Sequence, residues 1–416
     1  MALQLKCAGR SLVVVVALAA FAFAEPPRWE HLSSKTDPAV LPVPSNTEQQ
    51  TGAVVGDLDG DKVNDFVLSF REKGPALVWY RRTKAGWARS VIEPQTLHIE
   101  AGGALFDIDG DGDLDLVFGN DYHGTDVWWW ENPSPNFDAN RPWVRHLIKT
   151  GGGKQHHDQI FGDFLGTGRP QLAFWNQGAK KLFLAEIPPN VKNARTWPMV
   201  EIFDTAKFAE SGGKASTPYA EGIYSADIDG DGKIDLLAGN YWFKHIGGKE
   251  FKAIRLATYG GRVAAGKFDE RAKRPQVVIS SGDGVGPLLF LSCADGADPQ
   301  LSASWKPREL LPKMIHGHSL QVADIDGDGH LDIFTAEMAK WHEQQEKPDN
   351  PEARAWIFYG DGKGNFRTEV FATGIGFHEA RVADLDGDGR MDVLDKPYNW
   401  EAPRVDVWLQ RGGRPK

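Results

Sequence analysis

Short apolar segments alternate with polar turns along nearly the whole chain, and four such segments recur in a fixed order. A short apolar segment precedes each acidic turn, and an apolar run such as residues 115–120 follows it. An alternating segment such as 405–409 comes next, and a segment that begins with an aromatic residue, such as 143–148, completes the unit. Alternation with a period of two is typical of half-buried strands. The pattern therefore predicts repeating units of four β-strands.

The turn between the first and second predicted strands carries an acidic nonapeptide. Five near-identical copies begin at Asp57, Asp107, Asp227, Asp324 and Asp384, and two eroded copies begin at Asp163 and Lys267. The starts lie about 55 residues apart on average, which is a period of repeat architectures. Seven units of four strands predict an all-β fold, a seven-bladed β-propeller with four-stranded blades.

The two ends of the predicted propeller complement each other. The last unit stops after its third strand, while residues 29–33 look like a lone fourth strand. If this N-terminal strand completes the last blade, it closes the ring and hides the edge strands. No break in composition marks a second domain, so we expect a single propeller domain over residues 25–416.

Residues 1–24 have the features of a cleaved secretory signal peptide. Lys6 and Arg10 precede an apolar run over 12–24, and 22–24 has the small-x-small form of a cleavage site. Cleavage would remove Cys7 and leave Cys293 as the only thiol, which excludes an intramolecular disulfide. No second apolar stretch is long enough to span a membrane. We therefore expect a secreted or periplasmic monomer that is not inserted in a membrane.

The acidic nonapeptides are expected to bind calcium. Asp at positions one, three, five and nine supplies hard oxygen ligands on a tight turn, as in an EF-hand loop, and Gly at position six permits positive φ. The eroded copies at 163 and 267 lose carboxylates and are expected to fold without metal. About five structural calcium sites are predicted, with these ligands: Asp57, Asp59, Asp61, Asp65, Asp107, Asp109, Asp111, Asp115, Asp227, Asp229, Asp231, Asp235, Asp324, Asp326, Asp328, Asp332, Asp384, Asp386, Asp388 and Asp392.

The chain has 57 acidic and 47 basic residues and a formal net charge of −10, which argues against binding of nucleic acid. Twenty of those acids belong to the predicted calcium loops, so the remaining surface is less acidic than the total indicates. No basic cluster accompanies the His and aromatic residues described below, and this still favours a partner other than nucleic acid.

These repeats resemble the FG-GAP/VCBS family of seven-bladed, calcium-loop propellers, which occurs in integrin α-subunit heads and many secreted bacterial proteins. The resemblance covers essentially the whole mature chain and implies the propeller fold and calcium binding. It does not imply a particular reaction.

A second set of residues lies six positions before each nonapeptide, at the start of the first strand. The seven residues at this offset are Thr51, Ala101, His157, Glu221, Gly261, His318 and His378. An equal offset predicts an equal direction around the axis, so His157, Glu221, His318 and His378 should converge on the mouth of the central channel. Three imidazoles and a carboxylate suit Zn²⁺, Mn²⁺ or Fe²⁺. The alternative is a polar, water-filled channel whose His residues bond to one another.

Aromatic residues cluster in the loops predicted for the same face. Aromatic rings beside charged groups are what a sugar site needs, because the rings stack on apolar C–H faces. The candidates for substrate binding are His123, Trp242, Trp341, Tyr398 and Trp400, although a single Trp here also fits a wedge between blades.

The His-bearing strand starts 315–319 and 376–381 resemble the propeller portion of fungal aldos-2-ulose (anhydrofructose) dehydratase and, more distantly, propeller polysaccharide lyases. This resemblance implies metal-assisted β-elimination on a carbohydrate. It implies His156 or His316 as the base and Tyr219 or Tyr241 as the acid. The other hypothesis is a non-catalytic module that binds carbohydrate or protein.

Overall fold

Seven four-stranded antiparallel sheets, arranged in a ring, make up almost all of the regular structure. The structure, a computed structural model, describes residues 27–205 and 221–412. The predicted signal peptide and Tyr219 lie outside these residues. The prediction of an all-β propeller with seven four-stranded blades is confirmed.

The strands follow one another in chain order, and only the first strand of the chain joins a distant blade. The N-terminal strand is β1 (Trp29–Ser33). Blade one contains β2 (Gln50–Gly56), β3 (Asp65–Phe70), β4 (Leu77–Thr83) and β5 (Gly86–Glu93). Blade two contains β6 (Ala104–Phe106), β7 (Asp115–Gly119), β8 (Val127–Glu131) and β9 (Val144–Lys149). Blade three contains β10 (His156–Gly162), β11 (Gln171–Asn176), β12 (Lys181–Glu186) and β13 (Met199–Asp204).

The remaining blades repeat this arrangement. Blade four contains β14 (Ile223–Ala226), β15 (Asp235–Ala238), β16 (Tyr241–Gly247) and β17 (Glu250–Arg255). Blade five contains β18 (Val263–Gly266), β19 (Gln276–Ile279), β20 (Val285–Cys293) and β21 (Trp305–Ile315). Blade six contains β22 (Ser319–Ala323), β23 (Asp332–Ala336), β24 (Arg354–Gly360) and β25 (Phe366–Thr373). Blade seven contains β26 (Arg381–Ala383), β27 (Asp392–Asp395), β28 (Asp406–Gln410) and β1.

The N-terminal strand forms the outer strand of blade seven. It pairs antiparallel with β28, from Trp29 opposite Gln410 to Ser33 opposite Asp406. The His31 ring stacks on Trp408 at 4.3 Å, and its Nε2 lies 3.0 Å from Asp406. The first and last parts of the described chain therefore share one sheet.

Large apolar side chains fill the space between neighbouring blades, because each sheet has a neighbour on both faces. Between blades one and two, for example, Trp79 packs with Leu116 and Trp130 in one buried cluster. The first strands of neighbouring blades contact one another around the ring. The starts of these strands consequently surround the central axis. In the two described ranges, no helix is long and apolar enough to cross a membrane.

The ninth residue of each intact acidic loop is the first residue of the second strand. In the loop that begins at Asp107, the Asp115 carboxylate accepts the backbone N–H of Ile108 at 3.0 Å and that of Asn132 at 2.8 Å. In blade seven, Asp392 accepts from Leu385 and Gln410, both at 2.8 Å. This carboxylate therefore ties the loop to the end of the third strand, a role that the ligand pattern alone did not indicate.

Candidate functional site

A cavity opens on one face of the ring. On this face the first strands begin, and the loops that follow the second strands lie beside them. Thirteen residues line it: Arg71, Glu100, Ala101, Gln155, His157, Gln177, Glu221, Asp283, His318, Met338, Lys340, His378 and Tyr398. All four residues predicted to converge at the channel mouth are among them.

Three of these four residues bring potential ligand atoms together at the floor of the cavity. The ligand atoms of His157, Glu221 and His318 lie within 4.8 Å of one another, and all three side chains are buried. Glu221 Oε2 lies 3.2 Å from His318 Nε2 and 3.7 Å from His157 Nε2. We call these three residues the floor cluster.

The spacing and chemistry of the floor cluster fit a transition-metal ion. In a tetrahedral site with bonds of about 2.0 Å, neighbouring ligand atoms lie about 3.3 Å apart. The two distances from Glu221 Oε2 bracket this value. Asp283 Oδ1 lies 3.7 Å from His318 Nε2 and offers a further oxygen. Two imidazoles and a carboxylate would hold zinc, manganese or iron in preference to calcium.

Residues behind the floor cluster fix the orientation of its imidazoles. His157 Nδ1 lies 2.7 Å from Asp158 Oδ2, the carboxylate–histidine arrangement that commonly supports a metal ligand. Burial opposes the charged form of His157, but the Asp158 carboxylate raises its pKa above the usual value. Burial, with the nearby Arg262, holds the pKa of His318 well below its usual range. Arg262 Nη2 donates to His318 Nδ1 at 3.0 Å, so a neutral His318 in this arrangement carries its hydrogen on Nε2, toward Glu221 Oε2. A metal ion on Nε2 would require the other tautomer, with Nδ1 facing Glu379 Oε1 at 3.6 Å.

Ion pairs lie in the channel on the inner side of the floor cluster. Arg262 pairs with Asp158 and Glu379, and Arg381 Nη2 lies 2.7 Å from Glu379. These residues line a second cavity, and His318 lines both cavities. The floor cluster thus separates the outer cavity from a charged inner one.

His378 lies beside the floor cluster in a different environment. Its ring stacks on His318 at 4.5 Å, and its Nδ1 lies 2.9 Å from the carbonyl oxygen of Gln50. Nδ1 faces the Gln50 carbonyl oxygen, which accepts, and Lys396 Nζ, which donates; in the tautomer that donates from Nδ1 to Gln50, Nε2 has the lone pair. Lys396 Nζ contacts three backbone carbonyl oxygens and lies 3.1 Å from His378 Nδ1. Burial, with the nearby Lys396, holds the pKa of His378 well below its usual value, which favours a neutral imidazole beside the floor cluster.

Two cations at the cavity rim were not found from the sequence. Arg71 contacts Glu100, donates to the Tyr398 hydroxyl at 2.7 Å, and pairs with Asp121 at 2.9 Å. Lys340 Nζ lies 3.0 Å from Asp283 Oδ1. Arg71 and Lys340, like Asp283, come shortly after the second strand of their blades. This shared position in the repeat is the sequence feature that could have identified them.

The formal charge of the cavity depends on whether the floor cluster holds a metal ion. Two cations and three carboxylates line the cavity, which gives a net charge of −1 with neutral His. A divalent ion would change this to +1. A metal ion would therefore make the cavity attractive to a carboxylated ligand.

Three predicted site residues lie in the packed interior instead. His156 is fully buried beside Gly119 and Phe174, because it points into the blade where His157 points to the axis. Tyr241 is buried against Phe203, and Trp242 is buried against Trp305. Only residues 239–240 separate β15 from β16, so no open loop carries these rings.

His316 lies near the cavity but is not arranged as a base. Its Nδ1 lies 2.6 Å from the Asp283 carbonyl oxygen and its Nε2 lies 2.8 Å from Asp349 Oδ2. Both ring nitrogens face acceptors, so both act as donors and neither offers a lone pair. Tyr219, the other predicted acid, lies outside the described residues.

The remaining aromatic candidates lie on the cavity face. Trp341 and Tyr398 line a wider cavity that shares Lys340 and Tyr398 with the first. The ring of Trp400 lies 6.3 Å from that of Trp341, and both are partly exposed. His123 is 39 % exposed and contacts Asp121. This face therefore offers rings and charges around an opening, as a sugar site requires.

The acidic loops bring their carboxylates close together, as the predicted calcium sites require. Asp57, Asp59 and Asp61 bring their ligand oxygens within 4.8 Å of one another, as do Asp107, Asp109 and Asp111. Burial raises the pKa of the ninth-position carboxyls to about 7, which a bound cation would offset.

In both eroded loops the first residue of the second strand is Gln, where the intact loops have Asp. Gln171 Oε1 accepts the backbone N–H of Leu165 at 3.0 Å, and its Nε2 contacts the Arg169 carbonyl oxygen. Gln276 accepts from Asp269 and donates to the Arg274 carbonyl in the same way. In both loops the amide accepts a hydrogen bond from a loop N–H and donates one to a carbonyl oxygen near the position where calcium would bind. These contacts favour loops that fold without metal, as expected.

Lys244 enters the acidic loop of blade four. Its Nζ lies 2.9 Å from Asp229, 2.5 Å from Asp231 and 3.7 Å from Asp235, and the side chain is 10 % exposed. We therefore expect four calcium ions in the wild-type chain and a fifth in Lys244→Met, measured as bound calcium after equilibrium dialysis. Lys192→Met is the control, because Lys192 contacts Asp109 from the surface with 44 % exposure. Five ions in the wild type would contradict this assignment.

Comparison with known proteins finds a repeat family for one segment of the chain and assigns no reaction. Residues 348–394 match the FG-GAP-like repeat family, which confirms this resemblance for that segment. The fold is similar to the exotype rhamnogalacturonan lyase YesX, with 14 % identity and a TM-score of 0.48, covering 87 % of this chain and 72 % of that one. A rhamnogalacturonan lyase of Bacillus licheniformis gives 14 % identity and 0.47, covering 87 % and 71 %. No curated protein matches the chain. The chain is thus a propeller with an FG-GAP-like repeat, and any activity has to be argued from its site.

Proposed function

We propose that the protein cleaves a uronate-containing glycan by metal-assisted β-elimination in the cavity. The convergence of His157, Glu221 and His318 beside the neutral imidazole of His378 carries this proposal. A bound divalent ion would polarise the substrate carboxylate and acidify the adjacent C–H bond. The rest of the reaction is assigned to residues of the chain.

His378 is proposed as the base in place of His156 and His316. Its ring lines the cavity, and in the tautomer that donates from Nδ1 to the Gln50 carbonyl oxygen, Nε2 has the lone pair that a base requires. Nε2 takes the proton from the carbon that bears the carboxylate, and the C–H electron pair becomes the new C=C bond as the adjacent C–O bond breaks.

Tyr398 is proposed as the acid that protonates the leaving oxygen. Its hydroxyl donates to Gln49 Oε1 at 2.9 Å and accepts from Arg71. Burial raises the pKa of Tyr398 to about 12, so the group holds its proton until the leaving oxygen develops charge. Arg71 then stabilises the phenolate that remains.

A panel of uronate-containing polysaccharides tests the reaction, with calcium in the buffer and Zn²⁺, Mn²⁺ or Fe²⁺ added in turn. The expected result is ultraviolet absorbance from a conjugated, unsaturated uronate. A polysaccharide that is retarded in affinity electrophoresis and yields no product would instead support the binding module.

Lys340→Met tests recognition of the substrate carboxylate. Among the described residues Lys340 pairs with one carboxylate, that of Asp283, and its side chain is 23 % exposed, so the ammonium can contact substrate as well. Loss of a charged hydrogen bond of about 1.5–3 kcal/mol should raise KM about 10- to 100-fold with little change in kcat. Lys347→Met, on the same loop and exposed, is the control. An unchanged KM would remove Lys340 from substrate binding.

A further inference from the structure

A second group of potential metal ligands lies beside the cavity and is not used by the proposed reaction. His98 belongs to the connection between β5 and β6, and Asp121 and His123 follow β7. We call these three residues the rim cluster. Their ligand atoms lie within 4.8 Å of one another.

The backbone holds the two segments of the rim cluster together. Asp121 N donates to the His98 carbonyl oxygen at 2.8 Å, and an isolated bridge pairs Ile99 with Asn120. The side chains are equally close. His123 Nδ1 lies 2.9 and 3.0 Å from the two Asp121 oxygens, and its ring stacks on His98 at 4.2 Å.

One polar atom of the rim cluster has no hydrogen-bond partner in the described part of the chain. His98 Nδ1 is buried without such a partner. A buried nitrogen of this kind costs free energy unless something binds it. The neighbouring Asp121 carboxylate is fully buried, whereas His123 is 39 % exposed, so an ion could enter from solvent.

We infer that the rim cluster is a second transition-metal site, distinct from the floor cluster, which binds a divalent ion of the zinc class through His98, Asp121 and His123. Two imidazoles and one carboxylate leave a coordination position on the exposed side of His123 for water or ligand. The calcium loops offer only oxygen and would not compete for such an ion.

The rim cluster is connected to the cavity through Arg71. Asp121 pairs with Arg71 Nε at 2.9 Å, and the other end of the guanidinium contacts Glu100 and Tyr398. A metal ion on Asp121 would draw charge from this pair and leave Arg71 more available to the cavity. Metal binding by the rim cluster can be measured without an assay of enzymatic activity.

Cobalt titration tests the rim cluster on the untagged, full-length mature protein, stripped with chelator and then saturated with calcium. The visible absorption of Co²⁺ and calorimetry should show two cobalt ions per chain. His123→Ala should retain one, and its lost site should be weakened at least about 100-fold. Glu221→Gln should also retain one, which belongs to the rim cluster. His123→Ala combined with Glu221→Gln should retain none.

The variants separate the two clusters. The exposed His342→Ala is the matched control and should bind two ions. If the wild type binds one ion that His123→Ala loses, the rim cluster stands and the floor cluster does not. Equal cobalt binding by His123→Ala and the wild type would overturn the inference. If His123→Ala alters the melting curve, cobalt binding should be measured on His98→Gln, which should also lose the ion of the rim cluster.

Discussion

Replacement of Glu221 by Gln is expected to lower turnover of the acidic glycan by at least about 1000-fold. Glu221 is buried, and its Oε2 is the shared neighbour of both floor imidazoles. Loss of the bound ion would remove several kcal/mol of transition-state stabilisation, and 4 kcal/mol is about 1000-fold. The side chain keeps its shape, so Oε1 can still accept the Asp283 N–H now seen at 2.7 Å.

The Glu221 variant separates a metal site from a hydrogen-bonded channel. Steady-state rates and bound metal should be measured on the same preparation. Glu343→Gln, exposed on the same face, is the control and should match the wild type. If the floor residues only bond to one another, the wild type should hold no more transition metal than Glu221→Gln. Equal bound metal in the two proteins, or wild-type turnover in Glu221→Gln, would contradict the metal site.

Removal of calcium is expected to lower the melting temperature by at least about 15 °C. An ion at a thousand times its dissociation constant stabilises a fold by about 4 kcal/mol, and four loops are expected to bind one each. Without ions, neighbouring carboxylates such as Asp57, Asp59 and Asp61 repel one another. In the described residues the one cysteine, Cys293, is free, so no disulfide there adds to the pairing of β1 with β28.

Calorimetry with and without a calcium chelator measures this effect. Added Mg²⁺ should not restore the melting temperature, because it demands octahedral geometry and loses water reluctantly. Re-added Ca²⁺ should restore it. Equal melting temperatures in chelator and in calcium would contradict structural calcium in these loops.

The fold followed from the sequence because every blade repeats the same strands and the same acidic turn. The convergence of His157, Glu221 and His318 could also be predicted from the repeat, because equivalent strand starts surround one axis. His378 lines the cavity, as predicted. The contact between its Nδ1 and the carbonyl oxygen of Gln50 could not be predicted, because Gln50 belongs to another blade.

The rest of the site depends on features that vary between blades. Arg71 directly follows its second strand, whereas Asp283 and Lys340 lie four residues after theirs, so one offset does not reveal all three. The choice between His156 and His157 depends on local geometry, where Asp158 has positive φ and the register shifts between His157 and Gln159. Tyr241 is buried because its loop is only two residues long.

The central claim is elimination in the cavity, and product mass after reaction in H₂¹⁸O tests it most directly. Digests of an acidic glycan by the wild type and by Glu221→Gln should be compared by mass spectrometry. We predict an unsaturated new end without ¹⁸O in the wild-type digest and its absence in the variant. A saturated product that carries ¹⁸O would show hydrolysis and contradict the account.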